Sequence, residues 1–155
     1  MEHNLGWDDL WEGRQFTTRA RTITETDVVQ FAAATGDMSP MHTDHEFAAQ
    51  SSFGAPIAHG LLGLSYVHGL MFGSELLGHN AIAFMGMSEW RFRAPIAFGD
   101  TVHADFTVAE RRLRRSVPGQ GLVTFDVAVL NQDDVTVQSG RKTLLLHTGS
   151  GDATT

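Results

Sequence analysis

The chain has 155 residues, 42% hydrophobic and 19% charged, enough apolar material for one packed core and too little length for two comfortable domains. Its 11 Lys and Arg stand against 18 Asp and Glu, and a net charge of −7 argues against a surface built to meet nucleic-acid phosphates. The cysteine count is 0, which excludes a disulfide scaffold, a zinc–thiolate site and a cysteine nucleophile. No apolar run reaches the roughly 18 residues needed to cross a bilayer, and no basic segment followed by an apolar stretch opens the chain. The expectation is an acidic, soluble, cytoplasmic single domain over 1–148, with a frayed polar tail over 149–155.

Residues 15–23 alternate loosely and carry Phe16, Thr17, Thr18 and Ile23, the pattern of a strand. Thr24, with Glu25 and Asp27 just after it, opens a helix: a hydroxyl cap with acids in the first turn. Val28, Val29, Phe31, Ala32 and Ala33 give that helix an apolar side, and Gly36 ends it. The next stretch is punctuated by Pro40, Gly54 and Pro56, with a capping-box pattern at Thr43 and Glu46 that predicts a short helix over 44–50. Residues 58–77 are nearly all apolar, too long a run for a strand, and predict a buried helix. Gly60, Gly63, Gly69 and Gly73 within it each cost about 1 kcal/mol relative to Ala, a cost that close approach to a sheet would justify. Beyond Gly78, residues 82–87, 89–94, 101–110, 122–130 and 136–146 read as strands, and 118–121 and 131–134 as hairpin loops. The sum is an α+β domain, one long helix against the concave face of a curved antiparallel sheet.

Two clusters carry candidate chemistry. In Thr35-Gly36-Asp37-Met38-Ser39-Pro40-Met41-His42-Thr43-Asp44, the Asp37 carboxylate and the His42 imidazole lie five residues apart in a segment that should turn. Brought to one pocket, they can divide proton transfers between them, although Asp37 is also ordinary turn material. The second cluster, Phe53-Gly54-Ala55-Pro56-Ile57-Ala58-His59-Gly60, directly precedes the long helix. Unpaired N–H groups at a helix start can hold a carbonyl that gains negative charge, and Gly60 lets it approach closely. Equally, Gly60 can simply begin a tightly packed helix.

Other readings stay open. His42-Thr43-Asp44-His45 is a fragment of metal-ligand spacing, but no second matched pair appears, so no metal site is expected. Arg111, Arg112, Arg114 and Arg115 form the only basic run, read as a solvated strand end, with a ligand phosphate as the alternative. His68, on the long helix, is either a satisfied core histidine or a member of the pocket that holds Asp37, with Ser65 as an alternative polar partner.

The string Gly36-Asp37-Met38-Ser39-Pro40-Met41-His42-Thr43-Asp44, then Phe53-Gly54-Ala55-Pro56-Ile57-Ala58-His59-Gly60-Leu61-Leu62, resembles the MaoC-like dehydratases, the (R)-specific enoyl-CoA hydratase group of the hotdog superfamily. A third stretch, from Phe92 to Val102, resembles the family's strand, turn and next strand, so the likeness covers roughly residues 8–147. The resemblance implies a hotdog fold, a homodimer or higher homo-oligomer, and a trans-2-enoyl thioester of coenzyme A or a carrier protein as substrate. It implies Asp37 as the main base on water, His42 as its partner, and the Gly60 N–H as the thioester-oxygen site. Ser39, Pro56, Ile57, Ala58, His59, Ser65 and His68 are expected along the substrate. No metal or redox cofactor is implied; coenzyme A belongs to the substrate. One position departs: several relatives have serine where this chain has His68. A bulkier, ionisable side chain there would shorten the acyl tunnel or recognise a polar or branched acyl group. Competing readings are a hotdog thioesterase and a non-catalytic thioester-binding subunit.

Overall fold

The computed structural model describes residues 5–73, 77 and 80–149. After a 3-10 turn at Trp7–Asp9 come β1 (Gln15–Thr17), β2 (Arg21–Thr22), α1 (Glu25–Thr35), α2 (Pro40–Thr43), α3 (His45–Ala49), α4 (Gly60–Gly73), β3 (Ala81–Phe92), β4 (Thr101–Leu113), β5 (Gln120–Leu130) and β6 (Thr136–His147). The strands form one curved antiparallel sheet of six, in the order β1-β4-β5-β6-β3, with β2 also paired to β4. Period-two alternation builds its inner face. Val102, Ala104, Phe106 and Val108 of β4 lie against Val123, Phe125, Val127 and Val129 of β5, all buried. Leu62, Val67 and Met71 of α4 join that same core, so the helix lies on the sheet as its apolar run predicts. None of the described helices is long and apolar enough to cross a membrane.

Three sequence expectations shift. The segment 15–23 is two short strands, because Thr18 leaves the ladder to hold both polar groups of Ala104: its N–H donates to the carbonyl, and its hydroxyl accepts from the N–H. Conversely, 82–87 and 89–94 are one strand, β3, bent where Glu89 takes a φ of 55° and the register with β6 jumps between Ser88 and Arg91. The long helix spans Gly60–Gly73; the expected continuation over 74–76 and the tail from 150 onward lie outside the described residues. It is also less buried than its composition suggests, with Leu61 59% exposed.

The helical glycines divide. A Cβ on Gly60 would stand 2.7 Å from the Phe92 ring, and one on Gly63 would stand 2.6 Å from both Gln138 and Ile96. Close packing on the sheet therefore explains these two. Gly69 and Gly73 meet nothing within 4 Å, and packing does not explain them.

The loop that carries the first cluster is anchored by α1. Thr24 caps the helix through the N–H of Asp27, and Gly36 closes it in the left-handed conformation at φ 79°. Asp27 in turn accepts a 2.6 Å hydrogen bond from the Tyr66 hydroxyl of α4 and one of 3.0 Å from Arg21. Burial opposes its charge, but the bonds from Tyr66 and Thr24 and the Arg21 guanidinium hold its carboxyl at about 2. The start of α1, β2 and the middle of α4 are thus tied at one charged node, which fixes the frame from which the loop departs.

Candidate active site

Ser39 begins α2, whose first residue is Pro40, and this turn brings His42 back toward the start of α4. The His42 Nδ1–H donates to the Ile57 carbonyl at 2.7 Å, so that bond selects the tautomer and leaves Nε2 as an acceptor. His59, 2% exposed, stacks on His42 with ring centroids 3.9 Å apart. The His59 Nε2–H donates to the Asp37 backbone carbonyl at 2.9 Å, and the Asp37 carboxylate lies 3.9 Å from the same nitrogen. Donor atoms of Asp37, His42 and His59 all lie within 4.8 Å of one another. The loop and the residue before α4 therefore meet. Asp37 itself is 54% exposed and accepts a further hydrogen bond from the Ser39 N–H at 3.3 Å. An ionised carboxylate facing water beside an imidazole with a free lone pair can take a proton from a water molecule held between them.

Beside this cluster a cavity of about 480 Å³ is lined by His42, Ile57, Ala58, Gly60, Leu61 and Phe92, among others. Gly60 is the first residue of α4, and no acceptor for its N–H is found among the described residues. Its carbonyl is held from below by the Gln138 side-chain NH2 at 2.9 Å, and Gln138 also accepts from the Trp90 indole at 3.3 Å. The helix start is thus braced by a buried amide while its own N–H points free, the arrangement that stabilises a developing oxyanion.

The expected site residues separate into groups. His42, Ile57, Ala58 and Gly60 line the cavity, and Asp37 lies within 4.8 Å of His42. His59 was expected along the substrate; it is instead buried behind His42, with no partner for Nδ1 among the described residues, and its contacts position Asp37 and His42. Pro56 is buried off the cavity, and Ser39 acts through its backbone as the start of α2. Ser65 and His68 do not share the pocket of Asp37. The Ser65 hydroxyl donates to the Leu61 carbonyl at 2.7 Å. His68 borders a second cavity of about 260 Å³ with Leu64, Ser65, Phe84, Met87 and Lys142.

That second cavity contains what the sequence reading missed. Lys142 of β6 is 0% exposed, and its ammonium donates to His68 Nδ1 at 2.9 Å. Burial pushes the lysine down to about 8; burial, and then the nearby ammonium, lower His68 as well. Of the basic run, Arg111 donates to the Trp7 carbonyl at 2.7 Å and lies over its ring, and Arg114 donates to Gln120 at 2.7 Å. These two arginines are committed within the chain.

The architecture, a curved antiparallel sheet around one helix, is the hotdog fold. A Mycobacterium tuberculosis protein described as a double hotdog fold superposes with a TM-score of 0.84 at 21% identity, over 95% of this chain and 45% of that one. The chain matches the MaoC like domain model over residues 11–130 and belongs to that family. It is 35% identical over 119 residues to the (R)-specific enoyl-CoA hydratase of Rhodospirillum rubrum, covering 77% of this chain and 76% of that one. A match to the 3-hydroxybutyryl-CoA dehydratase of Methylorubrum extorquens, 39% identical over 90 residues, takes in 58% of this chain and 55% of the relative. The solved MaoC-like dehydratase from Rhodospirillum rubrum superposes with a TM-score of 0.84 at 27% identity, covering 93% of this chain and 97% of that one.

Proposed function

We propose that the chain catalyses reversible addition of water to a trans-2-enoyl thioester, giving the (3R)-3-hydroxyacyl thioester. The observation that carries the reading is one cavity lined by His42 and Gly60, with Asp37 within 4.8 Å of His42 and no acceptor for the Gly60 N–H among the described residues. In this scheme the thioester oxygen accepts the Gly60 hydrogen bond, which draws electron density from C3. Water, held by Asp37 and His42 Nε2, adds its oxygen to C3 and gives up one proton to the pair. The electron pair of the double bond passes to the enolate, whose oxygen the Gly60 N–H steadies. The proton then returns to C2, so water is added across C2 and C3 and no atom is left over. Dehydration is the same path reversed. The thioester is that of coenzyme A or of a carrier protein, and no metal or redox group takes part. The hydratase and dehydratase names of the relatives support this chemistry.

Crotonyl-CoA separates the alternatives. Hydration removes the enoyl absorbance without releasing thiol, and the product is the 3R isomer. Thiol release in step with absorbance loss would make the chain a thioesterase. Tight binding with neither signal would make it a non-catalytic binding subunit.

We further propose a homodimer. β3 ends the sheet and pairs only with β6 among the described residues, yet it exposes Ile82, Phe84, Met85, Met87 and Phe92. A long apolar edge strand of this kind requires a cover, and a second copy supplies one of the same character. Sedimentation equilibrium should give a mass of about twice the 16.9 kDa chain; a monomer at micromolar concentration would refute the dimer.

A further inference from the structure

The two cavities lie along one face of α4. Gly60 and Leu61 border the first; Leu64, Ser65 and His68, one and two turns further on, border the second. The sheet beneath runs in step. Gln138 of β6 holds the Gly60 carbonyl, and Lys142, four residues along the same strand face, reaches His68. Eight residues of helix advance about 12 Å and four residues of strand about 13 Å, so the helix and strand keep the two polar contacts level. The other walls of the second cavity are apolar, with Leu64 on the helix and Phe84 and Met87 on β3. An acyl chain that left the thioester site along this face of α4 would thus reach a hydrocarbon-lined groove with a cation in its wall.

That cation has no counter-ion among the described residues. Its polar partner is the imidazole of His68, its nearest ring is Phe84 at 5.5 Å, and no carboxylate pairs with it among the described residues. Its cross-strand neighbours are Phe125 and Met87. A buried ammonium held only by a neutral acceptor is an unfavourable arrangement, and an anion brought beside it relieves the cost. A methyl-ended acyl chain would leave the ammonium as it is. A carboxylate at the end of the chain would pair with it.

Resting on the hydratase reading, we propose that the preferred substrate is a trans-2-enoyl thioester whose acyl chain ends in a carboxylate, held by Lys142 and His68. Length follows from the same geometry. Of the 12 Å or so of helix rise, hydrogen bonds of about 3 Å at each end leave about 6 Å. An extended chain advances about 1.2 Å per bond, so roughly five carbon–carbon bonds fit, which corresponds to an enedioyl chain of about six carbons.

The test compares three esters on the full chain: trans-2-hexenedioyl-CoA, trans-2-hexenoyl-CoA and crotonyl-CoA. The first two differ only in a terminal carboxylate against a methyl group. The wild type should favour the hexenedioyl ester in kcat/KM by at least ~10-fold, a site-built polar contact being worth that or more. Lys142→Met should bring the ratio to one or below, mostly through KM. Should that variant fail to fold, His68→Leu, which removes the ammonium's partner at the cavity wall, should lower the ratio in the same direction. Hydration of crotonyl-CoA and hexenoyl-CoA with no preference for hexenedioyl-CoA would overturn this inference and leave the hydratase reading standing. A preference that survives both substitutions would overturn the assignment to Lys142 and His68. Failure to hydrate any of the three would overturn the hydratase reading, and this inference with it.

Discussion

Asp37→Asn should lower kcat on crotonyl-CoA by at least ~10²-fold, the contribution of a positioned general base, while leaving the thermal midpoint nearly unchanged. The two halves of this expectation have separate causes. Asn keeps the shape of the side chain and an oxygen able to accept from the Ser39 N–H, and the backbone carbonyl that receives the His59 bond is untouched. Because the side chain is 54% exposed, its charge is not needed to satisfy a buried partner. What is lost is the basic lone pair beside His42. If Asp37 and His42 handle the same proton, the double variant with His42→Gln should cost little more than the worse single one, because groups that act as a unit are not additive. A loss below tenfold for Asp37→Asn, measured as enoyl absorbance decay, would mean that the base is elsewhere.

The fold was largely legible because its elements follow simple periods. β5 alternates cleanly, and α4 is the one apolar run too long for a strand. The loop cluster was legible for a different reason: Gly36 and Pro40 force a turn, so a carboxylate and an imidazole five residues apart must come near each other. Three features were not legible, each for a physical reason. Glu89 bends β3 without leaving it, and no residue type marks a bulge as distinct from a strand end. His59 was read as facing the substrate because it adjoins Gly60, but the α4 start turns it inward against Phe31 and His42. Lys142 was overlooked because it follows Arg141 in a polar stretch and reads as surface charge. The signal was nonetheless present. Counting back by two from the buried Leu146 and Leu144 places Lys142, Gly140 and Gln138 on the inner face of β6. A lysine in phase with buried leucines is a more specific pointer than any local motif.

That placement has a consequence for stability, and Lys142→Met should expose it. Lys142 is a base whose pKa falls from 10.5 to about 8 on burial. A lowered base favours the unfolded state wherever the lysine is charged in both states. Below pH 8 the penalty is therefore present in full, and at 1.4 kcal/mol per unit it amounts to about 3 kcal/mol. Between pH 8 and 10.5 the folded protein loses its proton before the unfolded chain does, and the penalty fades. Methionine has a similar length and no charge, so it removes the penalty and gives up one hydrogen bond to His68, worth about 1 kcal/mol. The net gain at pH 6.5 is about 2 kcal/mol, which for a chain of this size raises the thermal midpoint by roughly 4–8 °C. The same comparison at pH 10.5 should show little gain or a small loss. Thermal denaturation of both proteins at the two pH values decides the matter. An equal or lower midpoint for the variant at pH 6.5 would mean that the ammonium is already well compensated, and the case for an anionic ligand at that end of the groove would lose its physical basis. A higher midpoint together with a lost preference for the carboxylated ester would show a cation retained for recognition at the expense of folding stability.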